Sequence, residues 1–289
     1  MRWQGRRKST NVEDQRGTRR SAGIGRRGGR IGGVGLIAIV AFVLLGGDPA
    51  VIVNLLGGGS ATSGSPAPST RPAAENTAAD FVSVILADTE DTWQALFRDS
   101  GQAYREPKLH LFTDSVQSAC GRNTSATGPF YCPPDERVYL DLGFFRDLSR
   151  LGAPGDFAQA YVIGHEVAHH VQNLQGVFAT LRPLQQRSSQ AQSNALQVLA
   201  ELQADCYAGV WAHYADRDRQ LLERGDLDEG LQAAAAIGDD RLQRSAGRRV
   251  QPESFTHGSS AQRVQWFRVG FDSGSMRRCD TFADAGIRL

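Results

Sequence analysis

His165-Glu166-Val167-Ala168-His169 sets two imidazoles four residues apart, with a carboxylate directly after the first. On a helix, that spacing carries both rings to one face, about 400° round and about 6 Å up the axis. Two imidazoles so placed suit two ligands of a tetrahedral Zn2+. Glu166, about 100° round from His165, reaches water beside such an ion without ligating it, the position of a general base. The residues before it, Ala160–Gly164, are largely apolar, so the helix is expected to be buried. There an unpartnered carboxylate and two imidazoles are costly. The rival reading is a polar face on an ordinary surface helix.

A catalytic zinc keeps three protein ligands and one open place, so a third ligand is needed. Glu201-Leu202-Gln203-Ala204-Asp205 follows on the next long helical stretch, and its two carboxylates again share a face. Glu201 is the expected third ligand. Asp205 is expected to accept the free ring N–H of a ligating histidine and fix its tautomer. The flanks Leu196, Val198, Leu199, Leu202, Cys206, Tyr207, Val210 and Trp211 are too apolar for a solvated acidic face. Metzincin spacing does not fit, because Gln172 and Gln175 stand where that pattern needs Gly and His, and Met276 lies near the C-terminus.

HExxH followed by ExxxD resembles the gluzincin metallopeptidases. The stretches YREPKLHLFTDSVQSACG, GPFYCPPDERVYLDLGFF, GDFAQAYVIGHEVAHHVQ, ELQADCYAGVWAH and ESFTHGSSAQRVQWF, in that order, are similar to a bacterial family of neutral zinc metallopeptidases. The resemblance spans about residues 75–289. It implies a zincin-like fold, Zn2+ as cofactor, and hydrolysis of peptide bonds in a peptide or protein substrate. It also implies a separate His or Tyr steadying the oxyanion. His257 in the polar loop SFTHG is the first candidate, ahead of His213 and Tyr214. Arg137–Leu142, preceding the site helix, stands where zincins place an edge strand that pairs with substrate. His170 points about 100° away from His169 and is expected to pack or hydrogen-bond. A zincin fold kept as a catalytically silent surface scaffold is the alternative function. Against it stands Glu166, a carboxylate for which a structural site has no use.

These side chains need positioning elements. Phe81, Val84, Ile85, Trp93, Leu96 and Phe97 recur at helical spacing within Asp80–Asp99. Lys108–Thr113 and Arg137–Leu142 alternate like half-buried strands. Helices are expected over Gly155–Gly176 with Asp156 as N-cap, Ser188–Asp216, Asp226–Arg244 and Ser259–Phe271. A few strands ahead of a helix-rich remainder predict an α+β, zincin-like domain, mostly helical with a small sheet, over 79–289.

The N-terminal part reads differently. Ten Arg/Lys against Glu13 and Asp14 give residues 1–30 a net +8, while the whole chain carries +1, leaving −7 for 31–289. The acidic remainder gives no nucleic-acid footprint. Ile31–Gly47 is free of charge and about long enough to span a bilayer, with Ala50–Leu56 apolar again. Residues 1–30 are therefore expected to be a basic cytoplasmic tail, 31–56 a single transmembrane anchor, and 57–78 a flexible Gly/Ser/Ala/Pro linker. The domain is placed outside the cytoplasm at the cell membrane. A cleaved signal or a buried core helix are the alternatives for the apolar run. On the exported side the four cysteines suggest two disulfides, Cys120 with Cys132 and Cys206 with Cys279 among three possible pairings, or else free buried thiols.

Overall fold

The structure, a computed structural model, describes residues 1–17 and 73–287. In chain order these form β1 (Val12–Asp14), α1 (Ala73–Asp99), β2 (Lys108–Phe112), β3 (Ser115–Ser118), β4 (Gly121–Thr124), β5 (Phe130–Cys132) and β6 (Arg137–Asp141). The helical remainder follows as α2 (Phe144–Arg150), α3 (Asp156–Leu174), α4 (Val177–Gln186), α5 (Gln190–Arg217), α6 (Asp226–Ala236), α7 (Asp239–Ser245) and α8 (Ser260–Ser273).

The main sheet runs β1-β2-β6-β5, with β1, β2 and β6 parallel and β5 antiparallel to β6. Leu109 to Phe112 of β2 are all buried, not alternately so, because the strand is paired on both edges and packed on both faces. The strand expected at the sheet edge, Arg137–Asp141, is interior. Its outer neighbour β5 takes the edge position. β3 and β4 form a separate hairpin, and Cys120 in its turn is bridged to Cys132 at the end of β5. The second disulfide, Cys206–Cys279, ties α5 to the C-terminal segment.

Helices α3 and α5 pack on each other, with α6 and α8 closing over them. Their common core holds Phe157, Tyr161, Trp211 and Phe267, all fully buried. Full burial of a side chain such as Phe157 is worth about 1.5–3 kcal/mol. α5 and α8 cross at two glycines. A Cβ on Gly209 would stand 2.1 Å from the Phe267 carbonyl oxygen, and one on Gly270 would stand 1.8 Å from the Cys206 carbonyl oxygen. Only glycine permits so close a crossing. α5 starts at Ser189, whose hydroxyl and the Gln192 side chain form a reciprocal cap. Asp156 is the first residue of α3 and not its cap; the α3 N-terminus is held instead by Glu229, which accepts the Phe157 N–H at 3.0 Å. The stretch 226–244 is two helices, broken at Gly238, where a Cβ would strike the Ser260 backbone at 2.4 Å.

Residues 1–17 correct the expected division of the chain. They are not a detached tail but part of the folded unit. Val12, Glu13 and Asp14 register with Leu109, His110 and Leu111. Glu90, buried on α1, accepts hydrogen bonds from Ser9 (2.5 Å), Asn11 (2.9 Å) and Arg7 (3.1 Å). Trp3 meets Phe81 edge-on at 5.4 Å. The domain also starts earlier than expected, with helix from Ala73. Among the described residues no helix is long and apolar enough to cross a membrane; the 31–56 run and residues 57–72 of the linker lie outside them. Residues 17 and 73, the two ends of the described stretches, both belong to this one domain.

Asn11→Leu should lower unfolding free energy in urea by about 1–3 kcal/mol, because it strips a donor from buried Glu90. An unchanged midpoint would show that the N-terminal segment is not part of the cooperative unit.

Candidate metal centre

The apolar flank of α3 is pressed into the core, so its polar residues emerge toward α5. His165, Glu166 and His169 are all buried, as are Glu201 and Asp205 one turn apart on α5. The Glu201 Oε2 lies 3.1 Å from His165 Nε2 and 3.4 Å from His169 Nε2. The ligand atoms of these three residues all fall within 4.8 Å of one another. Two imidazole nitrogens and one carboxylate oxygen converging in this way are the donor set of a catalytic Zn2+.

Both rings present Nε2 because Nδ1 is engaged. His165 Nδ1 lies 2.9 Å from Asp205 Oδ1, and His169 Nδ1 lies 2.8 Å from Gln172 Oε1. Neither oxygen can donate there, so each Nδ1 carries a hydrogen and Nε2 is the nitrogen left to bind a metal, in His165 once it has shed its own proton. Glu201 is itself oriented: Gln197 Nε2 donates to its Oε1 at 2.8 Å, leaving Oε2 for the imidazoles. Burial alone would raise the Glu201 pKa, but His169 and His165 hold it well below the usual carboxylate range.

Asp205 is completely buried and lies beneath His165. Arg263 of α8 grips it in a fork, Nε to Oδ2 at 2.8 Å and Nη2 to Oδ1 at 2.9 Å, and the Tyr161 hydroxyl also donates to Oδ1. Burial opposes its ionisation, yet the Arg263 guanidinium and His165 bring its pKa down to about 2. Asp205 thus remains an anion under His165. Burial disfavours the protonated His165, but Asp205 and Glu201 raise its pKa to about 9.

The sheet completes the site. Residues of β5 and its flanks, Gly128 to Tyr131 and Pro133, form one wall of a cleft of about 440 Å3 whose floor is the triad and Glu166. Phe144, Val162, Phe178, Ile237 and Leu242 supply apolar walls. Among the described residues no hydrogen bond or ion pair ties down the Glu166 carboxylate, which lines the cleft. His257 lines it too. Its loop folds round Asp239 at the start of α7, which accepts the backbone N–H of Thr256, His257 and Gly258 and faces His257 Nδ1 at 3.3 Å. Partial desolvation lowers the pKa of the half-exposed His257, but Asp239 and Glu201 outweigh it and the net shift is upward.

The other two oxyanion candidates are elsewhere. His213 Nδ1 donates to the Phe271 carbonyl at 2.6 Å, and the Tyr214 hydroxyl to the Gly274 carbonyl at 3.1 Å. Neither lines the cleft. His170 points away from the triad, between the Tyr131 hydroxyl (2.9 Å) and the Arg105 carbonyl (2.6 Å), and pins β5 to α3. Sequence reasoning missed Tyr161, Gln172, Gln197, Asp239 and Arg263. Tyr161 and Gln197 each stand four residues from a ligand, a helical spacing that would have found them; Arg263 and Asp239 carry no local signal.

A family model described as "Putative neutral zinc metallopeptidase" matches residues 1–282. An uncharacterized protein of Escherichia coli (strain K12), YpfJ, is 49% identical over 285 residues, 98% of this chain and 99% of its own. An uncharacterized protein of Mycobacterium tuberculosis (strain ATCC 25618 / H37Rv) is 42% identical over 218 residues, 72% of this chain and 73% of its own. No solved structure matches the chain.

His165 must shed its proton to accept a metal, so proton and zinc compete. Its folded pKa lies above the ordinary imidazole value, so its stabilisation of the metal-free fold is full below about pH 6.5 and is lost as pH rises through about 9. Apparent zinc affinity, measured against a chromophoric chelator, should therefore keep rising with pH to about 9. A plateau already at the ordinary imidazole range would contradict this.

Proposed function

We infer, from the premise that this chain belongs to the neutral zinc metallopeptidase family, that it hydrolyses peptide bonds in a cleft centred on His165, His169 and Glu201. The observation that carries this is the convergence of those three side chains beside a carboxylate, Glu166, that no other described residue engages by a hydrogen bond or ion pair. Bound Zn2+ supplies Lewis-acid polarisation of a carbonyl and acidification of water. The protein's residues do the rest. Glu166 accepts a proton from the attacking water and returns it to the leaving amine. His257, fixed by Asp239, faces the cleft with a ring N–H to donate to developing charge on the substrate oxygen. β5 has an edge beside the triad that no described strand pairs with, suited to backbone pairing with an extended peptide, and the apolar walls exclude water from the bond being cut.

Glu166→Gln should bind zinc with wild-type stoichiometry and lose peptide turnover by at least about 100-fold, the lower range for removing a general base. Wild-type turnover in that variant would remove Glu166 from the mechanism. Stoichiometric zinc without cleavage of any peptide library by the wild type would favour the silent scaffold.

The disulfides Cys120–Cys132 and Cys206–Cys279 support work in an oxidising compartment outside the cytoplasm. The apolar run at 31–56 supports membrane association. With β1 in the sheet, residues 1–17 share the side of the catalytic domain, so the chain meets the bilayer without one net crossing between residues 17 and 73. Gln4 and Gln190 are both exposed. Cysteines introduced as Gln4→Cys and Gln190→Cys should be labelled from the same side of intact cells or spheroplasts by an impermeant maleimide. Labelling from opposite faces would restore a single-crossing anchor.

A further inference from the structure

Asp205 accounts for the orientation of His165, but His169 has no carboxylate behind it. Its partner is Gln172, one turn further along α3, fully buried where a metzincin has glycine. Gln172 does not act alone. Its Nε2 donates to the Ala200 carbonyl at 2.7 Å and to Gln203 Oε1 at 2.9 Å. Gln203, also buried, donates from its own Nε2 to the Cys279 carbonyl at 3.1 Å. A continuous chain of hydrogen bonds thus runs from a metal-facing imidazole through two side-chain amides to the C-terminal segment.

The direction of that chain is forced. A backbone carbonyl only accepts, so the Cys279 carbonyl compels Gln203 to turn its nitrogen outward and its oxygen toward Gln172. That oxygen and the Ala200 carbonyl then claim both amide hydrogens of Gln172, which leaves the Gln172 oxygen facing His169. His169 has no choice but to carry its hydrogen on Nδ1. Two fixed carbonyls, one on α5 and one beyond α8, therefore decide the tautomer of a residue on α3. The Cys279 carbonyl is itself held by the disulfide to Cys206, and Thr281 Oγ1 fastens the same segment to the Leu199 carbonyl at 2.6 Å.

We propose that Gln172 and Gln203 are positioning residues for metal binding, a neutral relay that fixes the His169 ring with Nε2 bare and couples the metal centre to the disulfide-anchored C-terminal segment. This rests on the reading of His169 as a ligand, so the experiment separates the two.

The test is zinc affinity of the full chain, by competition with a chromophoric chelator well below each variant's melting point, together with the visible spectrum of the cobalt-loaded protein. Gln172→Leu should raise the zinc dissociation constant by about 10- to 100-fold, the usual cost of losing the group behind a ligating histidine. Gln203→Met, which keeps Gln172 but leaves its amide held by the Ala200 carbonyl alone, should raise it by about threefold or more. The double variant should cost little beyond Gln172→Leu, since the relay is already cut. The cobalt bands should change in each. Wild-type zinc affinity within about twofold in Gln172→Leu overturns the relay while leaving the metal centre standing. If that variant does not fold, unchanged affinity in Gln203→Met overturns it. A wild-type chain that takes up no zinc overturns the metal reading, and the relay with it.

Discussion

Two buried anions one turn apart on α5, Glu201 and Asp205, face the imidazoles of α3, and the rest of the site depends on keeping them there. Desolvating a carboxylate costs several kcal/mol even after relaxation, so neither survives in this core without partners. Asp205 gets its return from Arg263, Tyr161 and His165, with four donors for two oxygens. Glu201 is held by Gln197 and the two rings, and a divalent cation in the same place would complete its compensation. Replacing these charges by apolar side chains would fill the same volume at lower cost, so the arrangement makes sense as a cation site and not as a device for stability.

The fold can be understood as the apparatus that makes this placement rigid. The glycine crossing at Gly209 and Gly270 brings α8 close enough to α5 for Arg263 to reach Asp205. The Cys206–Cys279 bridge lies next to Asp205 in sequence and at the far end of the hydrogen bonds that support His169. On the other side, His170 locks β5 to α3, so the strand edge and the metal-facing rings belong to one rigid body. Rigidity of this kind is what the proposed hydrolysis needs, since donors already in position cost no reorganisation when charge develops.

Much of the site was legible because helical periodicity is local. His165 with His169, and Glu201 with Asp205, each declare their shared face within five residues, and the apolar flanks of α5 announce burial. The starts of α5 and α8, expected at Ser188 and Ser259, were legible to within about two residues for the same reason. What was not legible depends on contacts across long separations. β1 reads as a charged tail, because nothing near Val12 foretells pairing with Leu109. Arg263 is one arginine among many, distinguished only by the buried carboxylate it meets. The break at Gly238 is imposed by the Ser260 backbone and not by anything in its own stretch. The edge position went to Phe130–Cys132, a segment too short to show alternation, and not to the better-patterned Arg137–Asp141.

The account is tested most directly by a zinc-loaded crystal structure with anomalous scattering at the metal edge. It predicts one ion bonded to His165 Nε2, His169 Nε2 and Glu201, with its remaining coordination open to solvent beside Glu166. An ion closed off by a fourth protein ligand, or bound away from these three side chains, would contradict it.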